Sequence, residues 1–237
     1  MIILKDLIKT YGPQEAVNIP DLTIENGTLL GLVGNNGAGK TTLFRLILDL
    51  VEATEGCVSI AERADSSPID PAKSEEWKTF TGAYIGDGYL IDFLSTEEYF
   101  SFIAELHNIS QEQLSTTIEE YSDFLTTEIL GTGKLIRDLS AGNKQKVGIV
   151  AALLSHPSLI VLDEPFNFLD PSSQNSLKRL LTNYHSTTGA TIIISSHNLT
   201  HTIDISTHIA LMEHGKVIEY IENTDGAARS RLEEYFA

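Results

Sequence analysis

The sequence predicts an α/β protein with a central, mostly parallel sheet, an antiparallel β portion near the N-terminus and an inserted α-helical segment. Three observations predict it. Runs such as Leu159-Ile160-Val161-Leu162 are apolar at every position, as a strand covered on both faces requires. From about position 141 such strands alternate with segments of helical period. Between about residues 95 and 125 the strand pattern gives way to helical spacing throughout.

In chain order, Met1 to Ile8 and Val17 to Ile24 read as strands, and Asn26-Gly27 as a turn before a third strand, Thr28 to Val33. A glycine-rich loop leads into a helix whose Leu43, Leu46, Ile47 and Leu50 recur at the i, i+3, i+4, i+7 spacing of one face. Cys57 to Ile60 reads as a strand with Cys57 as a small core residue, and a polar stretch containing Pro68 and Pro71 follows. Ser95 and Thr96 ahead of Glu97 and Glu98 mark a helix start. Tyr99, Phe102, Ile103 and Leu106 then line one face, and Leu114, Ile118, Tyr121 and Leu125 continue in a second helical segment; both stripes read as core.

The second half runs as a helix over about Ala141 to Ser155, the strand Leu159 to Leu162, a helix carrying Leu177, Leu180, Leu181 and Tyr184, and the strand Thr191 to Ser195. Ile209 to Met212 and Lys216 to Ile221 flank a turn at His214-Gly215, and a short helix closes the chain. The expected organisation is one domain over 1–237. Its core is formed by about 1–90 and 140–237, and a helical subdomain occupies about 91–139.

Composition narrows the function. The 237 residues are 42% hydrophobic and 21% charged, ordinary for a soluble domain. No run reaches the roughly 18 to 20 apolar residues of a membrane helix, and MIILKDLIKTYG lacks the basic flank and long apolar core of a secretory signal. The net charge of −17 is opposite in sign to the surface that nucleic acid or anionic lipid attracts, so neither is an expected partner. A single cysteine excludes an internal disulfide and suits a reducing compartment.

Two motifs carry chemistry. Gly34-Asn35-Asn36-Gly37-Ala38-Gly39-Lys40-Thr41 fits G-x-x-x-x-G-K-[ST] between an apolar strand and a helix. Glycines let successive N–H groups turn inward around phosphate, and the helix start, with Thr42 in its first turn, adds partial positive charge. Lys40 can reach the β- and γ-phosphates, and the Thr41 hydroxyl can ligate Mg²⁺. The second motif is Asp163-Glu164 at the end of an all-apolar strand, which sets two carboxylates at the sheet edge where open α/β sheets bind ligands. Asp163 is placed to hold the Mg²⁺ shell and Glu164 to polarise an attacking water.

Further residues follow in a fixed order. Leu139-Ser140-Ala141-Gly142-Asn143 opens a helix and resembles the L-S-G-G-Q signature of the ABC ATPase family. Phe168-Leu169-Asp170 resembles that family's D-loop, Ser196-His197 its switch histidine, and Tyr11 the aromatic that stacks on adenine. The resemblance runs from Tyr11 to His197, and the ordered set is far more specific than any member. Alone, Ser140 reads equally as a helix N-cap and Asp170-Pro171 as a turn and helix start.

The resemblance implies the P-loop NTPase fold of ABC ATPase type and a mechanism. Two copies pack head to tail, each ATP lying between the P-loop of one and the signature of the other. Ser140 and the Gly142 N–H would bind the γ-phosphate of ATP held by the second copy, with Asn143 and Asp170 also at the nucleotide. Glu164 would act as base and His197 would hold the γ-phosphate and water in line. The signature departs from the family pattern at Ala141 and Asn143, both small changes expected to preserve function. Where the family carries a Q-loop glutamine, the aligned residue is Asp87, a carboxylate resembling the drug and antibiotic exporters, which would sense Mg²⁺ and touch the membrane partner. The chain is thus expected to hydrolyse ATP for transport, export before import, at the inner face of the cell membrane beneath separate transmembrane permease subunits. The alternative, a non-transport role in translation or DNA repair, is disfavoured by the acidic balance and by the lack of a second ATPase domain or a long coiled coil.

Overall fold

The computed structural model describes residues 1–197 and 199–223. Two sheets are present among them. The smaller is antiparallel, in the order β2-β1-β4, from β1 (Ile2–Tyr11), β2 (Gln14–Ile24) and β4 (Glu55–Ile60). The larger has six strands in the order β5-β6-β7-β3-β8-β9: β3 (Leu29–Val33), β5 (Thr81–Tyr84), β6 (Leu159–Leu162), β7 (Thr191–Ser196), β8 (His208–Glu213) and β9 (Lys216–Glu222). Its first five members pair in parallel, and β9 turns back antiparallel on β8.

The all-apolar strands are explained by two cores. Leu159, Val161, Ile193, Leu30 and Leu32 face the smaller sheet, and α1 (Lys40–Ile47) fills the space between the sheets with Leu43, Phe44, Leu46 and Ile47. Ile160, Leu162, Ile192 and Ile194 face the opposite way, toward the helices α2 (Thr96–Leu106), α3 (Gln111–Glu120), α4 (Ser122–Leu125), α5 (Ala141–Leu153) and α6 (Pro171–Thr188). Each strand residue is therefore buried whichever way it points. A short helix, α7 (Leu199–Ile203), follows β7, and no described helix is long and apolar enough to cross a membrane.

Local signals set the boundaries. Ser95 accepts the Glu98 N–H while Glu98 reaches back to the Ser95 N–H, a reciprocal cap that starts α2 as Ser95 and the following acids predict. The helix α1 ends sooner than its spacing suggests. Asp49 adopts a left-handed φ of 50°, which swings Leu50 off the helix and leaves it half exposed. The buried stripe of α2 is Thr96, Tyr99, Phe100 and Ala104, with Ile103 at its margin; Phe102 and Leu106 face outward. Cys57 is also exposed, against its expected place in the core: the pleat of the edge strand β4 turns Val58 and Ile60 inward and its neighbour out. The expected terminal helix lies outside the described residues.

Strand order positions the site. β6, β7 and β3 are adjacent and parallel, so the segments that leave their carboxyl ends converge: 163–164 after β6, His197 after β7 and the glycine-rich loop after β3. β3 sits where the strand sequence reverses, the place at which open α/β sheets open a crevice.

Candidate active site

The loop after β3 forms one wall of a cavity of about 520 Å³. Asn36, Gly37, Ala38, Gly39, Lys40, Thr41 and Thr42 line it, with Tyr11 at the mouth and Glu164 opposite. Gly39 caps α1 at φ 107°, and a Cβ there would stand 2.4 Å from the Ala16 carbonyl oxygen, so only glycine lets the loop close over β2. No side chain caps α1, which leaves its first N–H groups to an anion in the cavity.

Lys40 is almost entirely buried. Its ammonium donates to the carbonyls of Gly34 at 2.6 Å and Asn35 at 3.3 Å, and lies 3.4 Å from Glu164 Oε1. A buried cation needs compensation, and a single carboxylate at that distance leaves room for a more highly charged anion to displace it. Gly34 and Asn35 thus act through their backbone; both also line a smaller adjoining cavity with Met212 and Glu213.

The acids form a continuous chain of hydrogen bonds. Thr41 Oγ1 donates to Asp163 Oδ2 at 2.6 Å, and Ser195 Oγ donates to Asp163 Oδ1 while accepting the Glu164 N–H at 2.7 Å. Glu164 Oε2 meets His197 Nδ1 at 2.8 Å and accepts the His197 N–H at 3.3 Å. Glu164 itself adopts φ 47°, the left-handed region that a non-glycine residue occupies at a cost of about 1–3 kcal/mol. Both halves of the acidic pair are therefore held by β7 as well as by the P-loop helix. Thr41 and Asp163, two hard oxygen donors within hydrogen-bond reach of each other, form the donor set that suits Mg²⁺.

The remaining predicted residues lie elsewhere. Ser140 caps α5, accepting the Asn143 N–H at 3.2 Å, and its neighbour Gly142 packs so closely on Phe168 that a Cβ would stand 2.6 Å from the Phe168 carbonyl oxygen. Asp170 caps α6, accepting the N–H groups of Ser172 and Ser173 and the Ser173 hydroxyl, and that hydroxyl foremost holds its carboxyl below the usual carboxylate range. None of these four is among the described residues that line the P-loop cavity. Asp87 opens a tight turn after β5 and is exposed, and no hydrogen bond joins its carboxylate to Thr41 or Asp163 among the described residues.

Sequence reasoning missed Ser195, which ties both acids to β7, and Gln14, Glu15, Ala16, His214 and Gly215, which complete the cavity wall. A serine pair ending an otherwise apolar strand was the available signal for the first. The others come from β2 and the β8–β9 turn, and only the fold brings them near residues 36–42.

Comparison with known proteins agrees with this geometry. Residues 17–167 match the family described as ABC transporter, and residues 131–204 match one described as AAA domain, putative AbiEii toxin, Type IV TA system. The chain is 30% identical over 220 residues to the glycine betaine uptake system ATP-binding protein YehX of Escherichia coli (strain K12), covering 92% of this chain and 70% of that protein. It is 32% identical over 220 residues to the bacitracin transport ATP-binding protein BcrA of Bacillus licheniformis, covering 91% and 68%. Among solved structures, the dimeric structure of MJ0796, a bacterial ABC transporter cassette, superposes with a TM-score of 0.82 at 23% identity, covering 94% of this chain and 99% of that one.

Proposed function

The chain belongs to the ABC transporter family, as an ATP-binding and ATP-hydrolysing subunit, and from that membership we propose that it works as a head-to-tail dimer beneath separate transmembrane permease subunits at the inner face of the membrane. The observation that carries the catalytic part of this reading is the hydrogen-bonded chain Thr41–Asp163–Ser195–Glu164–His197 facing the buried Lys40 ammonium. It joins the Lys40 and Thr41 side of the cavity to Glu164 on the opposite side, with Asp163 bonded to Thr41 behind it.

In this mechanism the P-loop N–H groups and Lys40 hold the phosphates, and Tyr11 stacks on the base. Thr41 and Asp163 would hold Mg²⁺, which when bound would supply charge neutralisation at the phosphates. Glu164 draws a proton from the attacking water, and His197 steadies the Glu164 carboxylate and the γ-phosphate. By the family resemblance, Ser140, Gly142, Asn143 and Asp170 are assigned to the nucleotide of a second copy, and none of them lines the chain's own P-loop cavity. Closure by triphosphate and release after hydrolysis then form the switch.

Export is the proposed direction, supported by the carboxylate of Asp87 and the likeness to the bacitracin transport protein; the uptake-system relative points the other way. A permease partner is supported by an apolar groove between α2, α5 and β5, lined by Tyr84, Tyr89, Leu90, Tyr99 and Ile103 next to Asp87. Its rim carries Tyr89 and nearby Phe93 largely exposed. The relatives named above are transport proteins, and nothing in the comparisons supports the translation or repair alternative. The test is phosphate release from Mg-ATP together with equilibrium nucleotide binding. Lys40→Ala is expected to lose both, and unchanged ATP affinity in that variant would remove the P-loop assignment.

A further inference from the structure

Glu164 is held at both ends of its own residue. Its N–H donates to Ser195 Oγ at 2.7 Å, and its carbonyl accepts the Gln145 side-chain N–H at 3.0 Å. Gln145 lies on α5, five residues after Ser140, and is 5% exposed. Its orientation follows from donor and acceptor chemistry. A carbonyl only accepts, so the amide nitrogen must face Glu164, and the amide oxygen must then accept from the Tyr84 hydroxyl, which lies 3.0 Å away.

Tyr84 is built into this arrangement. It ends β5, its carbonyl accepts the Asp163 N–H at 2.8 Å, and burial pushes its phenol well above the usual range, so that it stays a neutral donor. The ring lies flat against α5 at Gly148, where a Cβ would stand 2.1 Å from it. Tyr84 thus holds one acid of the pair directly and the other through Gln145.

We propose that Gln145 is a positioning residue for hydrolysis: by bonding the Glu164 carbonyl it keeps that residue in its left-handed turn, so that the carboxylate meets Lys40 and His197. Tyr84, in turn, fixes the amide. The inference rests on the assignment of Glu164 as the base. Without the Gln145 bond the turn at φ 47° relaxes toward the ordinary helical or extended basins, and the carboxylate swings off the line between Lys40 and His197. The phosphate-binding surface, formed by residues 34–42, does not depend on the amide.

The test uses the full chain and two variants. Gln145→Met keeps the length and volume of the side chain but can neither donate to Glu164 nor accept from Tyr84. Tyr84→Phe removes only the hydroxyl. Gln145→Met is expected to lower kcat on the order of tenfold to a hundredfold with Mg-ATP affinity and KM within about twofold of the parent. Tyr84→Phe should give a smaller fall in kcat, about threefold, in the same pattern. In a Glu164→Gln background, Gln145→Met should cause no further loss, because the residue it positions is already disabled. Three results overturn the proposal: parental kcat in Gln145→Met, a matched loss of ATP binding and kcat in both variants, or a full additional loss in the Glu164→Gln background. Failure of the underlying reading looks different, since normal turnover in Glu164→Gln alone would remove the base itself.

Discussion

The His197 imidazole Nδ1 lies 2.8 Å from Glu164 Oε2, while the other oxygen of the same carboxylate lies 3.4 Å from the Lys40 ammonium. One acidic side chain is thus suspended between a cation of the P-loop and a histidine that leaves β7. The direction of its carboxylate is set by elements from both halves of the sequence.

His197→Ala removes the partner that steadies Oε2 and one contact proposed for the γ-phosphate, while the P-loop residues 36–42 that line the cavity stay in place. Steady-state assays should show kcat lowered by about 10²-fold, within the range for one member of an acid–base pair, with the KM for ATP little changed. A variant that loses affinity while keeping kcat would place His197 in ground-state binding.

Ser195→Ala deletes the hydroxyl that donates to Asp163 and accepts from the Glu164 N–H. Both acids lose a partner at once, so turnover is expected to fall about tenfold or more and the Mg²⁺ concentration for half-maximal rate to rise. Titration of the rate with Mg²⁺ checks this; an unchanged half-maximal concentration would show that Ser195 does not support Asp163.

Gly148→Ala inserts a methyl 2.1 Å from the buried Tyr84 ring. The ring or α5 must move, and overpacking of this kind costs roughly 1–3 kcal/mol. Urea unfolding should show a lower midpoint with an unchanged slope. Wild-type stability would mean that the ring does not lie against α5.

Asp170 stabilises the start of α6, and its carboxyl is held below its ordinary value chiefly by the Ser173 hydroxyl, with the Ser173 and Ser172 N–H groups adding to this. A carboxyl whose folded pKa is depressed contributes stability above its unfolded value near about 4, and that contribution is lost as the pH falls through the lower folded value. Asp170→Ala should therefore be less stable than the parent at neutral pH, and the gap should close below about pH 4. A gap that persists in acid would point to packing instead of the charged cap.

Much of the fold and half of the site could be read in advance, and the division has a physical cause. Leu159-Ile160-Val161-Leu162 and the glycine-rich segment 34–41 carry their meaning locally: one must be buried on both faces, the other must bend. Phe102 and Leu106 misled because their spacing suits one helical stripe, while the neighbouring Phe100 and Ala104 supply a slightly rotated one that packs on the core. Cys57 misled because strand identity does not say which face an edge strand presents. Ser195 and Gln145 stayed hidden because their partners lie 31 and 19 residues away along the chain, joined only when β7 and α5 close around the turn after β6.

The central claim is that triphosphate is gripped between one copy's P-loop and another's Ser140, and Glu164→Gln examines it most directly by slowing release. Light scattering of that variant with Mg-ATP should report twice the mass seen with Mg-ADP or with no nucleotide. An unchanged mass in all three conditions, with nucleotide demonstrably bound, would contradict the shared-site dimer.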